Sequence, residues 1–131
     1  SYAVKRGIIT ADDEQYWNLS RAEAFLDRLM TDEQTAHWFA KGNKVYNERS
    51  IYIPPTASDR AHHLRPDRIV RATDGSIYVI DYKFGDTPGE KQQATYKRQV
   101  QTYCRFLSDL WHAPVEGYLL YANAFKVEKV V

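Results

Sequence analysis

The segment Arg65-Pro66-Asp67-Arg68-Ile69-Val70-Arg71-Ala72-Thr73-Asp74-Gly75-Ser76-Ile77-Tyr78-Val79-Ile80-Asp81-Tyr82-Lys83-Phe84-Gly85 reads as two short strands joined by a turn. Side chains alternate between the faces of a strand, so Asp81 and Lys83 project from one side. Whether Asp67 joins them depends on the turn. With Asp74-Gly75 as a two-residue loop, Thr73 pairs with Ser76, and Asp67 falls opposite Tyr82 on the wrong face. With Thr73-Asp74-Gly75 as a type I turn closed by Gly75 at positive φ, Ala72 pairs with Ser76 and Asp67 stands opposite Asp81. The second register is the one expected, and it brings Asp67, Asp81 and Lys83 together. Two carboxylates held close repel unless a cation sits between them. Ligands that are all oxygen favour a hard ion, magnesium or manganese. Such a site makes a water more acidic and stabilises charge on a phosphate oxygen, with Lys83 beside it to orient or deprotonate the nucleophile.

Pro66-Asp67, a gap of thirteen residues, and Asp81-Tyr82-Lys83 together resemble the PD-(D/E)XK nuclease signature. Gly85 after the lysine and the downstream Gln99-Val100-Gln101-Thr102-Tyr103 sharpen the resemblance to the nuclease domain of the RecB and AddA helicase-nucleases, the exonuclease V class. It covers roughly Glu48 to Ala122. Phe84 departs from it, because a small polar residue often stands there in that family. The resemblance implies an α/β fold, a restriction-endonuclease-like mixed β-sheet flanked by helices. It also implies a magnesium-dependent exodeoxyribonuclease of recombination and double-strand break repair, with manganese as the alternative ion.

In that reading Asp67, Asp81 and the backbone carbonyl of Tyr82 hold one or two metal ions. Lys83 positions the attacking water or stabilises the pentacovalent state, and the products carry a 5′-phosphate and a 3′-hydroxyl. Gln99 and Tyr103, four apart on one helix face, contact DNA or support the ligands. Tyr103 also falls in an apolar stripe, where a core role competes. Glu48 is a further candidate acid for the metal, against the competing reading of a surface salt bridge. The implied partners are DNA, UvrD/Rep-type helicase domains of the same parent chain and a second helicase-nuclease subunit. A different class of function is a nuclease-like scaffold that holds a strand beside a helicase without cutting it.

At 131 residues, with 44% hydrophobic and 27% charged residues, the chain is expected to form one folded domain. Residues 1–44 form a helical lead-in, 45–122 the nuclease core and 123–131 a final strand or tail. The start without an initiating methionine suggests a piece of a larger helicase-nuclease, with an upstream helix and its histidine or glutamate ligand cut away. Cys104 is the only cysteine, which leaves no disulfide framework, zinc set or iron–sulfur cluster. No apolar run approaches a membrane span, and the expected location is the cytoplasm. A net charge of +1 argues against a general DNA-coating protein. It suits a nuclease, whose acids offset basic residues such as Arg60, Arg65, Arg68 and Arg71 near the hairpin and Lys91, Lys97, Arg98 and Arg105 beyond it.

Thr10 caps a helix from Ala11 to about Met30, with Phe25, Leu26 and Leu29 as its apolar stripe. Thr31 starts a second helix through Trp38 and Phe39 that stops near Gly42. Val45 to Pro54 is a strand, and Thr56 to Leu64, including His62 and His63, a polar loop. The strongest helix runs from Lys91 to about His112, with Tyr96, Val100, Tyr103, Leu107, Leu110 and Trp111 at helical spacing. Ala113-Pro114 ends it. Strands follow at Glu116 to Tyr121 and Lys126 to Val131.

Overall fold

In a computed structural model of the chain, residues 19–47, 51–53, 62–64, 66–85 and 88–131 are described. Helix α1, Leu19–Thr31, is followed by a 3₁₀ turn, Ala36–Phe39, and strands β1, Lys44–Asn47, β2, Ile51–Ile53, and β3, His62–Leu64. Strands β4, Arg68–Arg71, and β5, Ile77–Lys83, form the hairpin. Helix α2, Glu90–Trp111, then leads to β6, Glu116–Tyr121, and β7, Lys126–Lys129. The main sheet has the order β1-β4-β5-β6-β7, and a separate two-stranded sheet pairs β2 with β3. Among the described strands only β5 and β6 run parallel, joined through α2 as a parallel pair requires. The fold is therefore a mixed α/β sheet with a helix on each face.

Alternation along β4 and β5 decides which helix covers what. Val70, Tyr78, Ile80 and Tyr82 point into one core with Ala22, Phe25, Leu26 and Leu29 of α1 and the buried Trp38. Ile69, Ile77 and Val79 point into the other, with Val100, Tyr103, Cys104 and Leu107 of α2. Both faces of the hairpin are apolar because both are covered. Phe84 belongs to the first core. Its ring centroid lies 5.7 Å from that of Phe25 and 6.3 Å from that of Tyr82, so an aromatic ring fills a place that a small polar residue would leave empty.

Several elements differ from the sequence expectation. The second helix is only the 3₁₀ turn. The Asp32 side chain accepts from the Gln34 amide at 2.9 Å, and the buried Thr35 hydroxyl donates back to the Leu29 carbonyl at 2.6 Å. These bonds fold the segment back under α1 before an α-helix can propagate. The expected strand from Val45 to Pro54 is two strands in different sheets, and the expected loop holds β3. Leu110 leaves the stripe of α2 and is 55% exposed. The helix expected from Ala11 is described from Leu19 on, and residues 11–18 lie outside the described residues. No helix among the described residues is long and apolar enough to cross a membrane.

Candidate active site

The turn has the geometry that sets the register. The Gly75 amide donates to the Ala72 carbonyl at 3.0 Å, the Ala72 amide donates to the Ser76 carbonyl at 2.8 Å, and Gly75 has φ +92°. Asp74 accepts the Ser76 amide at 2.9 Å, which holds its carboxyl below the usual carboxylate range. From this turn Arg71 pairs with Ile77 and Arg68 with Ile80, so the next pair outward is Asp67 with Asp81. Hydrogen-bonded and non-hydrogen-bonded pairs alternate along an antiparallel ladder. Ala72–Ser76 is of the first kind, which makes Asp67–Asp81 of the second, where facing side chains come closest.

The two acids are tied to each other's strand. The Asp67 amide donates to Asp81 Oδ1 at 3.2 Å, and the Tyr82 amide donates to Asp67 Oδ2 at 2.8 Å. Asp81 is buried at 4% exposure, and Lys83 Nζ stands 3.5 Å from its Oδ2. Burial, and next the negative charge of Asp81, push the Asp67 carboxyl up to about 7; the Tyr82 amide and the Lys83 ammonium pull it down but do not prevail. One ammonium for two carboxylates leaves negative charge that a cation can neutralise.

A third oxygen follows from Pro66. Lys83 uses its carbonyl toward β6, accepting from the Ala122 amide at 2.9 Å, so the backbone groups of Tyr82 point toward β4. Strand β4 starts at Arg68, two residues after the buried Pro66. Proline has no N–H to give, so Pro66 cannot donate to the Tyr82 carbonyl. Two carboxylates and one carbonyl, all oxygen, fit a hard divalent ion that keeps water in its remaining positions. Among the described residues no group of three or more histidine, cysteine, aspartate or glutamate side chains stands together as a metal site.

The remaining candidates fall differently. Glu48, Arg60 and Arg65 lie outside the described residues. Tyr103 is buried in the core beneath α2, and Gln99, one turn earlier, is exposed. Arg68 faces inward at 7% exposure, donating to Asn47 Oδ1 and the Trp38 carbonyl with its guanidinium over the Phe39 ring, so its place is structural. Lys97 is paired with Glu128 at 2.8 Å. The residue that sequence reasoning assigned only to packing is Tyr96. Its ring centroid lies 4.1 Å from Lys83 Nζ. The available signal was its place on the inward stripe of α2, three residues before Gln99.

A family profile described as the PD-(D/E)XK nuclease superfamily matches residues 19–129. The chain belongs to the PD-(D/E)XK nuclease superfamily. Its members are nucleases that typically work with divalent metal ions, and a nuclease domain implies contact with DNA. Pro66-Asp67 and Asp81-Tyr82-Lys83 lie within the matched residues. No curated protein matches the chain. Eight chains of solved structure do. One, described as the crystal structure of SSO0001, is similar with a TM-score of 0.51 at 16% identity, over 89% of this chain and 54% of that one. The likeness bears on the fold, and the chain spans about half the length of that protein.

Proposed function

We propose that this PD-(D/E)XK domain is a magnesium-dependent deoxyribonuclease of the exonuclease V type, joined to helicase domains in a longer protein and acting in DNA recombination and double-strand break repair. The observation that carries the nuclease part is the convergence of Asp67, Asp81 and Lys83 at one end of the hairpin. The exonuclease and helicase parts rest on the resemblance of Asp81-Tyr82-Lys83-Phe84-Gly85 and Gln99 to Tyr103 to RecB and AddA.

Asp67, Asp81 and the Tyr82 carbonyl would hold the ion. When bound, it supplies charge neutralisation at the scissile phosphate and a more acidic water. Lys83 holds the attacking water by hydrogen bonding. The water oxygen bonds to phosphorus, the bond from phosphorus to O3′ breaks, and a 5′-phosphate and a 3′-hydroxyl result. The exposed Gln99 would meet the DNA strand, whereas Tyr103 would act by fixing α2 on the sheet.

The test compares cleavage of linear single- and double-stranded DNA by the wild type and Asp81→Ala, with magnesium or manganese. Cleavage that disappears in the variant while DNA binding persists supports the enzyme. No cleavage by the wild type, or by a chain extended upstream, would leave a strand-holding scaffold instead.

A further inference from the structure

Lys83 carries a flexible four-carbon stem and a compact charge, so its sequence position alone does not fix where the ammonium sits. Two features fix it here. Asp81 Oδ2 lies 3.5 Å away, and the face of Tyr96 lies 4.1 Å from Nζ, inside the range in which an aromatic quadrupole attracts a cation. Tyr96 reaches this place because it stands on the same stripe of α2 as Val100, Tyr103 and Leu107, which are seated in the core, while Tyr96 itself is only partly buried at its margin. The Lys83 side chain is 23% exposed, so the ring also shields one side of the ammonium from water. Across the parallel ladder Lys83 faces Tyr121, another buried aromatic residue, so the stem rises from an apolar neighbourhood.

The two holds are not equivalent. When Asp81 gives its charge to a divalent ion, its attraction for Lys83 weakens, and the ring is the contact for which no metal competes. We infer that Tyr96 is the positioning residue for Lys83, and that its ring keeps the ammonium aimed at the water site while Asp81 is engaged. This inference rests on the nuclease reading for its effect on rate, but its geometry is measurable without cleavage. The aromatic face is what the role needs; the phenol hydroxyl is not part of it.

The experiment uses the full chain with ¹³C-labelled lysine and the variants Tyr96→Phe and Tyr96→Leu, with Lys83→Arg to assign the resonance. In the wild type the Lys83 ε-methylene protons are expected upfield of the other lysines through the ring current of Tyr96. The shift should persist in Tyr96→Phe and vanish in Tyr96→Leu, with magnesium present as well as absent. Cleavage should follow. Tyr96→Leu lowers kcat about tenfold with KM unchanged, and Tyr96→Phe restores the rate. Matched thermal midpoints for the two variants exclude a general loss of folding. An unshifted Lys83 signal in the wild type overturns the inference whatever the activity, and so does a Tyr96→Leu variant that cleaves at the wild-type rate. A shifted signal in a wild type that cuts no DNA upholds the ring's hold on Lys83 and counts against the nuclease reading alone.

Discussion

The amide of Asp67 donates to Asp81 Oδ1 at 3.2 Å, so the carboxylate on β5 is held by the backbone of the residue that carries the facing carboxylate. With the Tyr82 amide on Asp67 Oδ2, the acids are fixed as a reciprocal pair at the open end of the hairpin. Their closeness is a property of the register. Two carboxylates held this close repel, so the fold stores electrostatic strain at this point.

That strain gives stability a pH dependence of definite sign. An ordinary aspartate carboxyl titrates near 3.8, whereas Asp67 titrates near 7 when folded. Between these values the native state binds the extra proton, so metal-free protein loses stability as pH rises from about 4 to about 7, and the loss is complete above that. In chelator, thermal midpoints of the wild type should fall across this window, while Asp67→Asn should lack this component and be the more stable protein at pH 8. Added magnesium or manganese should raise the wild-type midpoint at pH 8 and leave the variant nearly unmoved. A variant less stable than wild type at pH 8 in chelator would contradict the account.

Lys83 and the carboxylates should separate in their effects. Lys83→Met keeps the stem against Tyr96 and removes the charge, so cleavage should fall at least about a hundredfold, the scale of a lost proton-transfer or charge-stabilising group. Divalent-ion affinity should hold or improve, because the cation competing for Asp81 is gone. Calorimetric titration with manganese beside a cleavage assay checks both halves. Loss of ion binding in Lys83→Met would show that the lysine supports the ligands and not the water.

The site was legible from the turn outward because register is digital. Ala72 to Ser76 either pair or they do not, and with Gly75 at φ +92° the outcome brings Asp67 onto the face of Asp81. The two apolar faces of the hairpin were equally legible, since alternation needs no partner to be read. What sequence could not supply was which helix residue meets which strand residue. Tyr96 and Tyr103 look alike on the stripe of α2, and only the way the helix lies on the sheet puts Tyr96 over Lys83 and Tyr103 into the core. Arg68 misled for a similar reason. It counted among the basic residues near the hairpin, and only the fold brings Asn47, the Trp38 carbonyl and Phe39 around it. The 3₁₀ turn at Ala36–Phe39 was hidden by Thr35, whose hydroxyl bonds backward to Leu29 instead of capping forward.

Pro66 offers a test of the carbonyl ligand. Pro66→Ala adds an N–H just before β4, on the strand that the Tyr82 backbone faces. The new donor should pair with the Tyr82 carbonyl and withdraw it from the ion, weakening manganese affinity roughly tenfold, as loss of a supporting contact commonly does. The metal-free midpoint should shift little, because the added hydrogen bond offsets the freedom gained by the unfolded chain. Unchanged affinity would mean that the carbonyl is not a ligand and that the ion rests on the carboxylates alone.

Gly117 marks a place where α2 presses on the sheet. It lies on β6 opposite Val79, and a Cβ there would stand 2.6 Å from both Cys104 Sγ and Val100 Cγ1. Neither neighbour can yield freely, since Val100 and Cys104 are buried and anchored on the same helix. Gly117→Ala should therefore lift α2 from the strands and cost about 1–3 kcal/mol of stability, read by chemical denaturation. The direction of the displacement matters for the site. Tyr96 lies one turn before Val100, so a lifted helix draws the ring from Lys83, and cleavage should fall even at temperatures where the variant is fully folded. Asp67 and Asp81 sit on the hairpin and keep their hydrogen bonds, so divalent-ion affinity should stay near that of the wild type. If rate and ion affinity fell together, the hairpin would not be the independent platform that its register implies.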